Sequence, residues 1–135
     1  MAGEVVLLDT SVLIDYYRKK DKQRTHWLAL VRAGHHFAIS AVTKYEIYSG
    51  ATTDQMAFWD EILEPIPVIA LDEVAIDTAV EINRELKRKR KQIHLADLFI
   101  ASTAMAAGLP LATLNKRHFE RIAKLRLVEM DTDLG

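Results

Sequence analysis

The stretch Glu4-Val-Val-Leu-Leu-Asp-Thr-Ser11 decides the fold of this chain. Its aliphatic run, two residues of which are β-branched, predicts a short buried strand. Asp-Thr-Ser follows directly and is typical of a helix start, so a helix is predicted from Thr10 or Ser11 to about Lys20. In this interpretation Thr10 and Ser11 cap the helix, which leaves the side chain of Asp9 available for other work.

The alternation of strand and helix continues to the end of the chain. Further strands are predicted at 36–40, 68–71 and 111–114, with a candidate fifth strand at 127–130. Further helices are predicted at 22–32, 41–50, 54–63, 72–90 and 94–107. This order predicts a three-layer α/β/α fold with a central, mainly parallel sheet of four or five strands. The length of 135 residues suits one domain spanning 1–135.

Composition excludes several classes of protein. The formal net charge is -1, so the chain is not a globally basic nucleic-acid binder. Cysteine is absent, which excludes disulfides, thiolate metal sites and cysteine nucleophiles. The first residues lack the features of a secretory signal, and no apolar stretch is long enough to span a bilayer. We therefore expect a soluble, cytoplasmic protein without membrane attachment.

Three acidic residues are predicted to converge on one pocket. Ligand crevices of open α/β sheets lie beyond the carboxyl ends of the strands, where Asp9 is predicted to lie. Glu46 shares a helix face with Val42, and Asp97 shares one with Ile100 and other small or apolar residues, so both point toward the protein. The alternatives are that Asp9 only caps a helix and that Glu46 is exposed and paired with Lys44.

Carboxylates gathered without a nearby cationic side chain repel each other, and burial of an unpaired carboxylate is strongly unfavourable. A hard divalent cation such as Mg²⁺ or Mn²⁺ resolves this conflict because it accepts oxygen ligands. The sequence thus predicts a metal site formed by Asp9, Glu46 and Asp97. Asp15 is a weaker candidate, since it precedes Lys19 by four residues and a solvated helix pair explains it better.

Four segments, in order, resemble the successive motifs of PIN-domain nucleases, particularly the VapC-type toxins of toxin–antitoxin systems. The segments are Leu8-Asp-Thr-Ser-Val-Leu-Ile-Asp15, Thr43-Lys-Tyr-Glu-Ile-Tyr-Ser-Gly50, His94-Leu-Ala-Asp-Leu-Phe-Ile-Ala-Ser-Thr-Ala104 and Ala112-Thr-Leu-Asn-Lys-Arg-His-Phe119. The resemblance covers nearly the whole chain. It implies a PIN-like fold and metal-assisted hydrolysis of RNA phosphodiesters.

The same resemblance assigns roles to individual residues. It implies that Asp9 and Asp97 bind Mg²⁺ or Mn²⁺ directly, and that Glu46 is a further ligand or the general base for the attacking water. Ser11 and Thr113 match hydroxyl positions that support the site.

The fourth motif departs from the most acidic form of the family. Asn115 takes a place often held by Asp, and we expect it to orient groups within hydrogen-bond reach. His118 replaces a common acid and is expected to be a partly buried or surface imidazole, with substrate contact as the alternative.

An acidic pocket repels RNA, so cations outside it must hold the backbone. The basic end of the fifth predicted helix is the candidate patch, formed by Arg84, Lys87, Arg88, Lys89, Arg90 and Lys91. The alternative is a solvated helix end that complements the helix dipole. Resemblance to VapC-type toxins also implies a homodimer and a cognate VapB-type antitoxin.

Two other functions compete with the nuclease. The first is a catalytically silent PIN-like module that binds RNA or protein only, an alternative that the weakened fourth motif leaves open. A phosphorylation-switched signalling domain would use Asp72 as acceptor and Lys116 as counter-charge. That alternative lacks paired acids after the first strand and leaves Glu46 and Asp97 without a role.

Overall fold

Four strands and seven helices alternate along the residues that the structure, a computed structural model, describes, which are 3–130. The strands are β1 (Val5–Leu8), β2 (His36–Ser40), β3 (Val68–Ile69) and β4 (Leu111–Ala112). The helices are α1 (Thr10–Arg18), α2 (His26–Arg32), α3 (Ala41–Ser49), α4 (Thr53–Leu63), α5 (Glu73–Arg88), α6 (Leu95–Ala107) and α7 (Lys116–Phe119). A 3₁₀ turn over Lys22–Arg24 precedes α2.

All strands are parallel, in the order β3-β2-β1-β4. β1 lies inside the sheet, because Leu7 pairs with Ala38 of β2 on one side and with Leu111 of β4 on the other. A central parallel strand is covered on both faces, which explains why the aliphatic run of β1 does not alternate with polar residues.

Helices cover both faces of the sheet, as predicted. Leu7 belongs to a buried cluster with residues of α5, α6 and α7, whereas Val6 and Leu8 belong to a second cluster with residues of α1, α2, α3 and α4. Successive side chains of a strand point to opposite faces, so β1 joins the two clusters. The prediction of a three-layer α/β/α fold is thereby confirmed.

The helix predicted over 22–32 is wrong in its first half. Thr25 is fully buried and divides the segment, since its hydroxyl donates to the Lys22 carbonyl oxygen at 2.6 Å. The same Oγ1 accepts from the backbone N–H of Leu28 at 3.4 Å, so α2 begins only at His26. Threonine side chains compete for backbone hydrogen bonds in this way and favour helix starts.

The predicted fifth strand is also wrong. The segment 127–130 contributes only one bridge, between Leu127 and Leu111. β4 is shorter than predicted because the Asn115 N–H donates to the Thr113 hydroxyl oxygen at 2.9 Å, which turns the chain away from the sheet. Within residues 3–130 no helix combines the length and apolar character that a bilayer crossing requires.

Candidate metal and catalytic site

One pocket lies at the carboxyl ends of β1 and β4, where parallel α/β sheets bind ligands. Its volume is about 630 Å³, and all three predicted carboxylates line it: Asp9 from the end of β1, Glu46 from α3 and Asp97 from α6. Asn115 lines it as well. We call this space the acidic pocket.

Asp9 is 2% exposed and occupies the N-cap position of α1 by its backbone, but its side chain does not cap the helix. Its Oδ2 accepts hydrogen bonds from Ser11 Oγ at 2.7 Å and from Thr113 Oγ1 at 2.8 Å. The prediction that Thr10 and Ser11 cap α1 is therefore wrong. Both hydroxyls are used by carboxylates of the acidic pocket instead.

Backbone groups orient the two hydroxyls that hold Asp9. The Leu114 N–H donates to Ser11 Oγ at 3.0 Å, and the Asn115 N–H donates to Thr113 Oγ1 at 2.9 Å. Because each hydroxyl oxygen already accepts a bond, its own proton is available for Asp9. Both protons reach Oδ2, and Oδ1 receives no hydrogen bond from residues 3–130. Oδ1 is thus the oxygen of Asp9 that can ligate a cation.

Glu46 lies on the inward side of α3 and is half-buried. Its Oε1 accepts a hydrogen bond from Thr10 Oγ1 at 2.6 Å. Lys44 is exposed and forms no ion pair with Glu46 in the described part of the chain, so the alternative of a surface pair does not hold. Thr10 therefore joins the start of α1 to the carboxylate of α3.

Asp97 lies in the first turn of α6, with its side chain 19% exposed. Burial raises the pKa of this carboxyl, and the negative charge of Asp9 raises it further. His118, whose Nδ1 lies 3.6 Å from Asp97 Oδ2, acts in the opposite direction, and Glu46 adds a smaller upward effect. The acids thus disfavour one another's ionised forms, which is the situation that a bound cation relieves.

The donor set fits a hard divalent ion that retains water. The carboxylates offer only oxygen, and Mg²⁺ commonly binds one or two protein carboxylates together with waters and substrate phosphate. Within residues 3–130, no three His, Asp or Glu side chains are placed to hold an ion by themselves. An ion here would therefore need waters or substrate oxygens beside the carboxylates to complete its coordination.

Residues missed by the sequence analysis also line the acidic pocket. Arg18 and Lys19 lie on its wall and bring cationic side chains to the pocket. Lys19 is paired with Asp15 at 3.0 Å, whereas Arg18 makes no ion pair or hydrogen bond with the described residues. Positions 10, 14 and 18 of α1 share one helix face, and this spacing could have identified Arg18.

The basic residues at the end of α5 do not line the acidic pocket. Arg88 and Lys89 both form ion pairs with Glu85 on the same helix, which offsets part of their charge. Lys89 lines a different cavity, between α5 and residues 121–124. The structure therefore separates this patch from the three acids.

Parallel topology and a carboxylate-lined crevice at the strand ends together define an α/β domain with its ligand crevice at the carboxyl edge of the sheet. Comparison with known proteins places this class more narrowly. The family model described as "PIN domain" matches residues 6–125, which is most of the chain. The chain belongs to the PIN-domain family.

Among curated proteins, the chain is similar to Ribonuclease VapC1 of Methanocaldococcus jannaschii, with 36% identity over 90% of this chain and 84% of the relative. Among solved structures, it is similar to VapBC2 from Rickettsia felis bound to a promoter DNA fragment, with a TM-score of 0.81 and 25% identity over 94% of this chain and 99% of that one. A toxin-antitoxin complex from Klebsiella pneumoniae gives a TM-score of 0.72 and 26% identity over 89% and 94%.

Proposed function

We propose that this chain is a Mg²⁺- or Mn²⁺-dependent endoribonuclease and the toxin of a VapBC-type toxin–antitoxin pair. The observation that carries the proposal is the meeting of Asp9, Glu46 and Asp97 in one pocket, in a chain of the PIN-domain family. The similarity to a ribonuclease and to toxin–antitoxin structures supports the substrate and the biological role.

In this proposal Asp9 and Asp97 hold the ion, which when bound supplies an acidified water and offsets charge on the phosphate. Glu46 accepts a proton from the attacking water. Thr10 fixes Oε1 of that carboxylate at 2.6 Å, which leaves Oε2 to act as the base. Ser11 and Thr113 both donate hydrogen bonds to Oδ2 of Asp9, so their role is to position this carboxylate for the ion.

Two pocket residues suit the phosphate itself. Asn115 is exposed at the pocket and can donate its side-chain amide to a phosphate oxygen. Arg18 supplies a guanidinium on the wall of the same pocket, and guanidinium groups match phosphate geometry. The strand would therefore be held from α1 and from the residues after β4.

Residues 1–135 act in this proposal as one PIN-like domain in the cytoplasm. The family match over 6–125 and the sharing of β1 by both buried clusters support a single unit. The proposed partners are RNA, a cognate VapB-type antitoxin and a second copy of the chain. Exposed Val74, Ile76 and Val80 on α5 are consistent with a protein contact, and light scattering of the purified chain would measure the dimer.

The signalling alternative is not supported. The Asp72 side chain accepts the Ala75 N–H at 2.9 Å and caps α5, and the Lys116 ammonium lies 3.6 Å from Glu129. Neither residue lines the acidic pocket. The other alternative, a catalytically silent PIN-like module, would have the same fold and differ only in lacking nuclease activity. Only a measurement of RNA cleavage distinguishes it from the nuclease.

The test is cleavage of RNA by the purified chain with Mg²⁺ or Mn²⁺, followed by sequencing of the new ends. Asp9→Asn should abolish cleavage while circular dichroism remains that of the wild type. Asp54→Asn is the matched control, because Asp54 is exposed in the first turn of α4 and lies outside the pocket. Undiminished cleavage by Asp9→Asn would refute the proposed centre, and an inactive wild type would favour the silent module.

A further inference from the structure

A second cavity lies near the acidic pocket, because one of its lining residues, His118, is 3.6 Å from Asp97. Its volume is about 380 Å³, and it is lined by Gln92, Ile93, His94, His118 and Arg121. We call it the histidine cavity. Unlike the acidic pocket, it has no carboxylate among its described lining residues. The two cavities therefore differ in the sign of the charge that they favour.

His118 connects the two cavities. Its ring lines the histidine cavity, while its Nδ1 lies 3.6 Å from Oδ2 of Asp97, which lines the acidic pocket. The His118 ring is also 6.4 Å from the ring of His94, centroid to centroid, in an edge-to-face arrangement. A ligand that occupies both cavities can therefore contact His118 between them.

Several donors in the histidine cavity have no hydrogen-bond partner among residues 3–130. Arg121 Nη1 donates to the Gln92 carbonyl oxygen at 2.9 Å, which fixes the guanidinium against the cavity wall. Its Nη2 and Nε make no hydrogen bond within residues 3–130. His94 occupies the N-cap position of α6, yet its side chain makes no capping bond. A fixed guanidinium with free N–H groups beside two imidazoles matches an oxygen-rich anion.

We propose, resting on the proposed ribonuclease function, that the histidine cavity binds the RNA phosphate next to the scissile one. A strand with one phosphate in the acidic pocket would carry an adjacent phosphate past His118 to Arg121 and His94. This arrangement adds a second guanidinium to the one that Arg18 supplies on the wall of the acidic pocket. It also moves the main backbone contact from the end of α5 to the segment after α7.

The first test measures binding of a fluorescent single-stranded RNA by anisotropy at several salt concentrations. The Asp9→Asn background prevents cleavage, and Arg121→Gln is added to it. We expect about tenfold weaker binding, because a hydrogen-bonded ion contact is lost. The slope of log affinity against log salt should fall by about 0.7, the value for one phosphate contact on a single strand.

Arg32→Gln is the matched control for this charge removal. Arg32 is an exposed arginine at the end of α2 that bonds Gln23 and lines neither cavity. Its loss should leave the slope of the salt dependence unchanged. An equal slope for Arg121→Gln and Arg32→Gln would overturn the proposed subsite, provided that both variants show the unfolding midpoint of the parent.

The second test locates the phosphate. Once the cleavage position is known, a neutral methylphosphonate replaces the phosphodiester on either side of it. One of the two replacements should weaken binding to the parent about tenfold and leave binding to Arg121→Gln unchanged, because the partner is already missing. Independent, additive losses at both positions would overturn the assignment.

The two proposals fail in different ways. A wild type that cleaves RNA while Arg121→Gln behaves as Arg32→Gln refutes only the histidine cavity as a phosphate site. A wild type that neither binds nor cleaves RNA refutes the ribonuclease and the subsite together. Weakened binding in His94→Gln, with kcat retained and KM raised in a cleaving background, supports a binding role for that ring.

Discussion

Asp15 and Asp97 line the same pocket but have opposite electrostatic surroundings. Burial acts to raise the pKa of Asp15, yet the His26 N–H, the Lys19 ammonium and the His26 ring outweigh it, so its pKa is lowered. Burial also raises the pKa of Asp97, and there the charge of Asp9 adds to the effect. Burial acts upward on both pKa values, so the donors around Asp15 and the charge of Asp9 beside Asp97 are what give the two shifts opposite signs.

The contacts of Asp15 show what its charge does. Its Oδ1 lies 3.0 Å from Lys19 Nζ, and its Oδ2 accepts from the His26 backbone N–H at 3.1 Å and lies 3.3 Å from the His26 ring nitrogen. His26 is the first residue of α2, and its N–H has no acceptor within that helix. Asp15 of α1 accepts this hydrogen bond and so links the two helices. Asp97 has no comparable set of donors in the described chain. One acid stabilises the fold, and the other is available for a ligand.

The largest expected effect separates the two acids by activity. Asp97→Asn should lower RNA cleavage at least about 100-fold, because a metal ligand is lost while the side-chain volume is kept. Asp15→Asn should retain cleavage within a few-fold of the wild type for the same amount of folded protein. Steady-state cleavage of a defined RNA measures both variants. Equal losses would show that the two acids do not have separate roles.

A smaller effect separates them by stability. Asp15→Ala should lower the free energy of unfolding by roughly 2 kcal/mol, because hydrogen bonds to a charged group are lost. Asp15→Asn keeps an acceptor for the His26 N–H and should lose less. Metal-free Asp97→Asn should unfold at a higher denaturant concentration than the wild type, since it removes repulsion. Urea unfolding with a chelator present checks all three, and a destabilised Asp97→Asn would contradict the comparison.

The smallest effect is on the pH dependence of stability. Because the pKa of Asp15 is lowered by folding, this group stabilises the fold at pH values above its pKa in the unfolded chain, about 3.9. That stability is lost as the pH falls through the pKa in the folded protein. The raised pKa of Asp97 contributes stability below the unfolded value, which is lost as the pH rises through the folded pKa. In the metal-free protein, Asp15→Asn should therefore reduce the loss of stability at acidic pH. Asp97→Asn should reduce the loss of stability as the pH rises above about 4.

Urea unfolding midpoints of the metal-free protein between about pH 2 and pH 6 measure these slopes. Asp54→Asn provides the control, because this exposed acid has no partner in the described chain and its removal should leave both slopes in place. If Asp15→Asn and Asp97→Asn changed the pH dependence of stability in the same direction, the opposite signs of the two pKa shifts would be contradicted.

The sequence was sufficient to predict the sheet and the meeting of the acids. The aliphatic run of β1 identifies a central strand, and helix spacing directs Glu46 and Asp97 inward. The sequence also predicted the pairing of Asp15 with Lys19. It predicted a solvated pair, however, and not the hydrogen bond between Asp15 and His26. That bond joins residues 11 positions apart on different helices, so no local pattern reports it.

The wrong predictions concern polar groups whose partners lie far along the chain. Thr10 and Ser11 have the composition of helix caps, but the partner of Thr10 is Glu46 and Ser11 serves the Asp9–Thr113 contact. Such choices depend on which residues the fold brings together. Thr25 is a different case, because its hydroxyl bonds are local, to the Lys22 carbonyl oxygen and the Leu28 N–H, and they override the helical propensity of 22–32.

The central claim is that the acids of the pocket hold a divalent ion, and titration calorimetry with Mg²⁺ or Mn²⁺ tests it most directly. The wild type should bind the ion, Asp97→Asn should lose that binding, and Asp15→Asn should retain it. Absence of binding to the folded wild type, or equal binding by Asp97→Asn, would contradict the account.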